Sequence, residues 1–214
     1  MGAVAPASGD RGMTTGHAIA RLKVTLENVE PVVMRRLDVP LRIRLDRLHL
    51  VLQAALGWTN SHLYEFTAGG TGWGVPDPDF GDGPLPAAKA TLHAVIEETG
   101  ARTIHYVYDY GDNWDHVIRI ERIGVSDPQA LYPQLVAATG RCPPEDVGGA
   151  PGYAEFLAAI ADPTHEQHQQ MLTWCGGAFD PETPDVDRIA GELDRLARKW
   201  TQRPRKPKAA SPRS

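Results

Sequence analysis

The densest group of chemically active side chains lies between residues 106 and 116, in the sequence Tyr-Val-Tyr-Asp-Tyr-Gly-Asp-Asn-Trp-Asp-His. It contains three carboxylates, one histidine and four aromatic rings. Carboxylate oxygens are the preferred ligands of hard divalent cations, and histidine can bind a metal or carry a proton near neutral pH. The segment therefore suggests a functional site, but it matches no catalytic signature that names a reaction.

The three acidic residues of this segment have two possible uses. In the first, Asp109, Asp112 and Asp115 hold a divalent metal ion, with oxygen atoms as ligands. In the second, the aspartates accept hydrogen bonds from the amides of their own Gly-Asp-Asn turn. The spacing is not that of an EF-hand, because the acids recur at every third position and the required glycine is missing.

A β-hairpin must position these side chains. We predict a three-residue loop, Gly111–Asn113, because Asn113 tolerates the left-handed backbone that such a loop needs. One face of the hairpin then carries the aromatic rings and His116, and the acids gather on the opposite face at the tip. The predicted cross-strand pairs are Tyr110 with Trp114, Tyr108 with His116, and Asp109 with Asp115. A two-residue loop would mix the faces, which the period of two penalises.

Hydrophobic periodicity predicts the elements before this hairpin. Residues 18–27 and 32–39 alternate as two strands of a first hairpin, and apolar residues at helical spacing from Leu45 to Leu56 predict a helix that ends at Gly57. A short strand follows at residues 62–66. A long loop rich in Gly, Pro and Asp from residue 69 to 86 and a short helix over residues 90–98 complete this half.

After residue 125 the pattern becomes helical. The sequence Pro-Pro-Glu-Asp-Val-Gly-Gly at residues 143–149 interrupts it, and a helix is predicted from about Pro151. Thr164 and Gln167 predict a capping box for the next helix, and the last helix follows near residue 186. We therefore predict one α+β domain with an antiparallel or mixed sheet of two hairpins plus a strand, one helix on the sheet and a helical C-terminal half. Its hairpin–helix–strand opening resembles a β-grasp.

Composition limits the class of protein. The chain has 214 residues, 42% of them hydrophobic, and no apolar run near the roughly 18 residues that span a bilayer. We expect no membrane contact. Residues 1–16 are interpreted as a disordered leader, residues 17–197 as the domain and residues 198–214 as a basic disordered tail. Two cysteines, Cys142 and Cys175, are too few for a disulfide framework and favour reduced thiols in the cytoplasm.

Charge is unevenly distributed along the chain. Residues 198–214 contain seven basic side chains and no acidic one, while the whole chain carries a net charge of −5. The body is therefore strongly acidic and repels phosphate, so only the tail could attract nucleic acid. The tail is also explained as a solubilising end, because it is rich in proline, alanine and serine.

Several ordered motifs extend across most of the chain. They are Leu48–Gln53 with Gly57-Trp58, His62–Phe66, Tyr108–His116, Cys142–Gly149 with Gly152-Tyr153, and Trp174 with Gly176-Gly177 and Phe179–Pro181. In this order they resemble the plasmid pRiA4b open-reading-frame-three-like family. The resemblance implies a compact α+β domain of bacterial or archaeal type that occurs on plasmids and as a passenger of insertion elements, where some members carry a resolvase label.

The same resemblance gives the candidate binding residues. They are Asp109, Asp112, Trp114, His116, Glu145 and Asp146; the structural alternative is that these residues lock two loops together. Resolvase chemistry is not supported by the residues themselves. A serine nucleophile needs arginines that stabilise the phosphate. Ser8 lies in the predicted leader, and Ser61 has no arginine cluster nearby in sequence.

Three functions remain open. The first is a non-catalytic binding or accessory module of mobile elements, with a protein or peptide partner. The second is a metal-assisted hydrolase, in which Asp109, Asp112 and His116 bind an ion and Glu145 or Asp146 acts as general base. The third is a nucleic-acid-binding accessory protein that uses the basic tail, for which steep salt dependence is the signature.

Overall fold

The computed structural model describes residues 17–76 and 83–201, which build one sheet and the helices around it. The strands of the described part are β1 Ala18–Leu26, β2 Val33–Pro40, β3 Tyr64–Ala68, β4 Thr71–Gly74, β5 Leu85–Pro86, β6 Thr103–Tyr108, β7 Trp114–Val125 and β8 Gln134–Thr139. The helices are α1 Leu45–Leu56, α2 Leu92–Thr99, α3 Gly149–Ala161, α4 His168–Trp174 and α5 Val186–Thr201.

The eight strands form one mixed sheet in the order β5-β4-β3-β6-β7-β1-β2-β8. Neighbouring strands are antiparallel except β4 and β5, which run parallel. This architecture confirms the predicted α+β class and mixed sheet. The opening β1–β2–α1–β3 has the predicted hairpin–helix–strand order, and α3, α4 and α5 confirm the helical C-terminal half.

The first hairpin and α1 form because their apolar residues recur at the period of each element. Leu22 and Val24 alternate along β1 into the core, and Leu48 and Leu52 of α1 are fully buried. The helix ends where Gly57 takes a left-handed φ of 92°, as predicted from the glycine. The first hairpin and α1 therefore follow their local sequence closely.

The register predicted for the second hairpin is wrong by two residues. Tyr108 pairs with Trp114 and Tyr106 pairs with His116, so five residues, 109–113, connect the strands. Because the shift is an even number, the same side chains stay on each face. Asp109 does not face Asp115, since Asp109 has left the ladder with a left-handed φ of 59°.

Three further predictions are corrected. The segment after residue 125 is not wholly helical, because β8 pairs with β2 at one edge of the sheet. The predicted loop between residues 69 and 86 contains β4 and β5. The capping box of Thr164 and Gln167 is absent, because the Asp162 carboxylate accepts hydrogen bonds from both the amide and the hydroxyl of Thr164.

The predicted leader and most of the predicted tail lie outside the residues that the structure describes. The leader, residues 1–16, and the tail from residue 202 onward lie outside the described residues, and nucleic-acid binding through the tail stays a prediction. Helix α5 continues to Thr201, so the first four residues assigned to the tail are helical. Among the described residues, no helix combines the length and apolar character needed to cross a membrane.

Candidate functional site

Three connecting segments meet at one end of the sheet, and we call this place the loop junction. It consists of residues 58–63 after α1, the hairpin turn 109–113, and residues 142–149 before α3. Trp58 Nε1 donates to the Pro143 carbonyl at 3.1 Å. The Asp109 amide donates to the Leu63 carbonyl at 2.9 Å, and the Gly148 amide donates to Asp112 Oδ2 at 3.1 Å. Each segment is therefore fixed by the other two.

Glu145 is bonded on both of its carboxylate oxygens. Oε2 accepts from the Thr59 amide at 2.9 Å and the Thr59 hydroxyl at 2.6 Å. Oε1 accepts from the Ser61 hydroxyl at 2.8 Å and from the Tyr108 hydroxyl. Burial alone would raise the pKa of Glu145, but the hydrogen bonds from Thr59, Tyr108 and Ser61 outweigh it and lower the pKa. Glu145 is therefore an ionised anchor of the junction.

Tyr108 connects the aromatic face of the sheet to this anchor. Its ring is fully buried and stacks on Trp58, with ring centroids 5.0 Å apart and planes 22° apart. While donating to Glu145, its hydroxyl also accepts from the amides of Ser61 and His62, at 3.0 and 3.3 Å. Burial and the bond to Glu145 raise the pKa of Tyr108, so the phenol stays protonated and holds the segment 58–62 in place.

His116 and Trp114 belong to the core behind the junction. Both are buried on the inner face, where Trp114 lies 5.8 Å and His116 5.3 Å from Trp58 between ring centroids. His116 Nδ1 bonds to the Tyr106 carbonyl at 3.0 Å, and burial lowers the pKa of His116 to about 4. A neutral histidine inside the core is not brought together with Asp109 and Asp112, so the predicted metal set with His116 does not assemble.

Asp112 and Asp115 lie in different places and make different contacts. Asp112 accepts from Gly148, and the backbone of Gly149 passes so close that a Cβ there would collide with the Asp112 carbonyl. Gly149 also has a φ of 68°, which only glycine adopts without strain. Asp115 lies 3.7 Å from His105, on the other face of the hairpin. The predicted set Asp109, Asp112 and Asp115 is not gathered at one point.

A different group of possible metal ligands does assemble at the junction. His62 Nε2 lies 2.9 Å from Asp146 Oδ1 and 3.5 Å from Asp109 Oδ2. In the described part of the chain, these three residues are the group of histidine and acidic side chains whose ligand atoms all fall within 4.8 Å of one another. We call it the His62 cluster. Two of its members, Asp109 and Asp146, were predicted as site residues, and His62 was not.

Unusual backbone geometry presents the two carboxylates of this cluster. Asp109 and Asp146 have φ values of 59° and 60°, in the left-handed region. Aspartate enters this region more readily than most residues, but it still costs of order 1 kcal/mol or more. Asp109 is nearly buried and Oδ1 accepts from the Gly111 amide at 2.9 Å, which leaves Oδ2 directed at His62. The Asp146 side chain is 69% exposed, so the cluster is open to ligands.

Asp146 also lines a cleft between α3 and α4. The cleft has a volume of about 740 Å³, and its walls include Phe156, Met171 and Trp174. Trp174 is 47% exposed, which leaves a large aromatic surface accessible beside the cluster. The site therefore combines one nitrogen ligand, two oxygen ligands and an adjacent cavity with both polar and apolar walls, a set that suits a divalent cation with vacant positions for an outside ligand.

The sequence could not identify His62, Thr59 or Ser61 as members of the junction. They precede β3, and their partners lie about 50 and 85 positions further along the chain. The pairing of β3 with β6 places these residues beside Tyr108 and the hairpin turn. The local sequence pattern does not predict that pairing. The available signal was weaker: His62 begins one of the ordered motifs, but its hydrophobic neighbours favoured a strand.

Comparison with known proteins gives three similarities. A family model described as plasmid pRiA4b ORF-3-like protein matches residues 18–188. An uncharacterized protein, y4hQ, of Sinorhizobium fredii (strain NBRC 101917 / NGR234) is 50% identical over 194 residues, covering 88% of this chain and 97% of its own. The crystal structure of a protein of unknown function, MM3350 from Methanosarcina mazei Go1, is similar with a TM-score of 0.73 and 31% identity, covering 81% and 98% of the two chains.

Proposed function

The chain belongs to the family of plasmid pRiA4b ORF-3-like proteins, and we propose that it is a non-catalytic binding module whose site contains a divalent cation. The ion is held by His62, Asp109 and Asp146. The partner, a protein or peptide segment, lies in the adjacent cleft between α3 and α4 and completes the coordination of the ion. The two free cysteines, Cys142 and Cys175, are consistent with action in the reducing cytoplasm.

The His62 cluster carries this proposal. Its three ligand atoms come from three separate segments, which are fixed to one another by Trp58, Asp112 and Glu145. Two carboxylates directed at one point repel each other, and a divalent cation between them replaces that repulsion with attraction. The strain of two left-handed aspartates is also accounted for, because such outliers persist where function requires a fixed geometry.

The junction supports binding better than catalysis. A metal-assisted hydrolase needs a base that activates water beside the ion. Glu145, the residue expected for this role, already accepts hydrogen bonds from Thr59, Ser61 and Tyr108. Asp146, the alternative base, is a ligand of the proposed ion. No reaction constellation is therefore complete among the described residues.

The test is to titrate Mn²⁺, Zn²⁺, Mg²⁺ and Ca²⁺ into the full chain and to measure heat and the thermal unfolding midpoint. An ion that the native state binds, present at 100 times its dissociation constant, stabilises the fold by about 2.7 kcal/mol. D146N removes one charged ligand but keeps a side chain that tolerates the left-handed backbone. We expect D146N and H62A to weaken binding at least tenfold.

D112N is the matched control: it removes a carboxylate from the same turn as Asp109 but outside the cluster, and the asparagine oxygen can still accept from the Gly148 amide, so the segments stay fixed. It should bind the ion with unchanged affinity. The proposal is overturned if none of the four ions binds, or if D112N loses as much affinity as D146N.

A further inference from the structure

A second cleft lies beside the segment that leads into the loop junction. It has a volume of about 1020 Å³ and is bounded by the end of α1, the segment 141–145 and the first turn of α5. Three arginines, Arg35, Arg141 and Arg188, line it. We call it the arginine cleft. The members of the His62 cluster do not line it, but Trp174 borders both this cleft and the cleft between α3 and α4.

Arg35 is a buried cation without an acidic partner. It is 1% exposed, and its guanidinium donates to backbone carbonyls: Nε to Ala55 at 2.8 Å, and Nη1 to Thr139 at 2.8 Å and Gly140 at 3.0 Å, as well as to Met34. No ion pair among the described residues includes it. Nη2, the second terminal nitrogen, makes no hydrogen bond within that part of the chain. A buried charge is usually paired, so this arginine has unused capacity for an anion.

Arg188 brings a second positive charge to the same place. Its guanidinium lies over Gly57, the residue that ends α1, so that a Cβ at position 57 would be 2.5 Å from Nη2. Burial lowers the pKa of Arg35, and repulsion from the like charge of Arg188 lowers it further. Two like charges that face one cleft repel each other unless an anion lies between them.

None of the acidic residues of the cleft pairs with Arg35 in the described part of the chain. Glu145 directs its carboxylate to the loop junction. Asp185 accepts from the amide of Arg188 at 3.1 Å, at the start of α5, and its contact with the Arg188 side chain is exposed and 3.7 Å long. Asp187 is exposed on the first turn of α5.

Apolar side chains also line the cleft, although polar groups make up most of its exposed surface. The apolar residues include Trp174, Phe179, Pro143 and Leu56. Arg141 lies over the ring of Phe179, with 4.4 Å from its guanidinium carbon to the ring centroid. Aromatic side chains in a concave surface are a feature of small-molecule sites, and the charged groups beside them favour a ligand with a charged head.

We propose that the arginine cleft binds a small organic anion. Its phosphate or carboxylate head lies between Arg35 and Arg188, and its apolar body lies against Trp174 and Phe179. Guanidinium groups match both heads, because their N–H donors are arranged to bond two oxygens at once.

Calorimetric titration of the full chain with inorganic phosphate, phenyl phosphate and benzoate, at constant ionic strength, tests this. We expect saturable binding of phenyl phosphate or benzoate, and comparison of the two identifies the head group. Inorganic phosphate measures the head alone and should bind more weakly than phenyl phosphate if the apolar walls contribute. R188Q should weaken binding at least tenfold.

R195Q is the matched control, because Arg195 is on the same helix, is 70% exposed and pairs with Glu192. It should bind within twofold of the unchanged chain. R35Q removes the buried cation but also four hydrogen bonds, so its binding is interpreted only if its circular dichroism and thermal midpoint show a folded protein. R141Q removes a cleft arginine at an exposed position and gives a second measurement of how cleft charge affects anion affinity. Absence of saturable binding by all three probes, or equal losses in R188Q and R195Q, would overturn the proposal. D146N should bind these anions normally, which separates this site from the proposed cation site.

Discussion

Glu145 and Asp146 are adjacent in one loop, but the environments of their carboxylates differ. Glu145 accepts hydrogen bonds from Thr59, Ser61 and Tyr108 and closes the loop junction. Asp146 extends to the other side, is largely exposed and contacts the imidazole of His62. The peptide bond between them thus separates a closed region that maintains the structure from an open region that is available to a ligand.

This difference shows why the density of acidic residues in a sequence does not identify a site. A carboxylate surrounded by donors from its own chain has no free capacity, whereas one that faces only a histidine and solvent keeps it. Three of the expected binding residues, Glu145, Trp114 and His116, lie in the closed region or in the core behind it. Two others belong to the His62 cluster: Asp146 lies in the open region, and the largely buried Asp109 directs Oδ2 at His62.

The largest expected effect concerns pH and the core behind the closed region. Burial lowers the pKa of His49 and His116 to about 4, against about 6.5 in the unfolded chain. Between these values the unfolded state binds more protons, so the free energy of unfolding falls as the pH falls from 6.5 to 4. Each histidine contributes up to about 1.4 kcal/mol per pH unit.

Urea unfolding at pH 7, 6 and 5 measures this slope. H116L should lower the number of protons taken up on unfolding by about one between pH 6 and 5, which reduces this slope by up to about 1.4 kcal/mol per pH unit. Above pH 7 the stability difference between H116L and the unchanged chain should be constant. An unaltered slope in H116L would mean that His116 does not remain neutral in the folded protein. The core behind the closed region would then not exclude charge as described.

The next effect is on the stability of the closed region itself. E145A removes the acceptor of four hydrogen bonds to Thr59, Ser61 and Tyr108. Bonds to charged groups contribute about 1.5–3 kcal/mol each, and the exposed donors regain water. We expect a loss of roughly 3 kcal/mol in the free energy of unfolding, measured by urea denaturation, whereas E155A, at an exposed position on α3, should cost less than about 0.5 kcal/mol.

The smallest effect should come from the open region. D146N, measured in the presence of a chelator, should change the free energy of unfolding by less than about 0.5 kcal/mol, because the side chain is exposed and asparagine accepts the same backbone conformation. Its effect should appear only when a divalent ion is added. A loss comparable to that of E145A without any ion would make both carboxylates structural and would remove the contrast.

Local features of the fold were predictable where one element determines its own face. The strands of the first hairpin, α1 and its end at Gly57 follow directly from periodicity and glycine. In the second hairpin the faces were correct but the register was not, since a shift of two residues leaves every side chain on the same face. The left-handed backbone at both Asp109 and Asn113 lengthens the turn, and the pattern of alternation does not record this.

The candidate site was less predictable because it depends on contacts between distant segments. His62 meets Asp109 only through the pairing of β3 with β6, and it meets Asp146 only because Glu145 fixes the following loop. Strand β8 was missed for a related reason. Its residues Gln134–Thr139 lie at the sheet edge with partial burial and weak alternation, so their structure is decided by β2 and not by their own sequence.

The position of β1 within the sheet has a consequence for biosynthesis. The strand is synthesised first, yet it lies between β2, which follows at once, and β7, whose Val125 pairs with Ala18. During translation one side of β1 therefore has no backbone partner until β7 leaves the ribosome. Pairing over such a separation slows folding, and an unpaired strand side can associate with other chains. The nascent chain is thus most exposed to misassembly in the interval between these two strands.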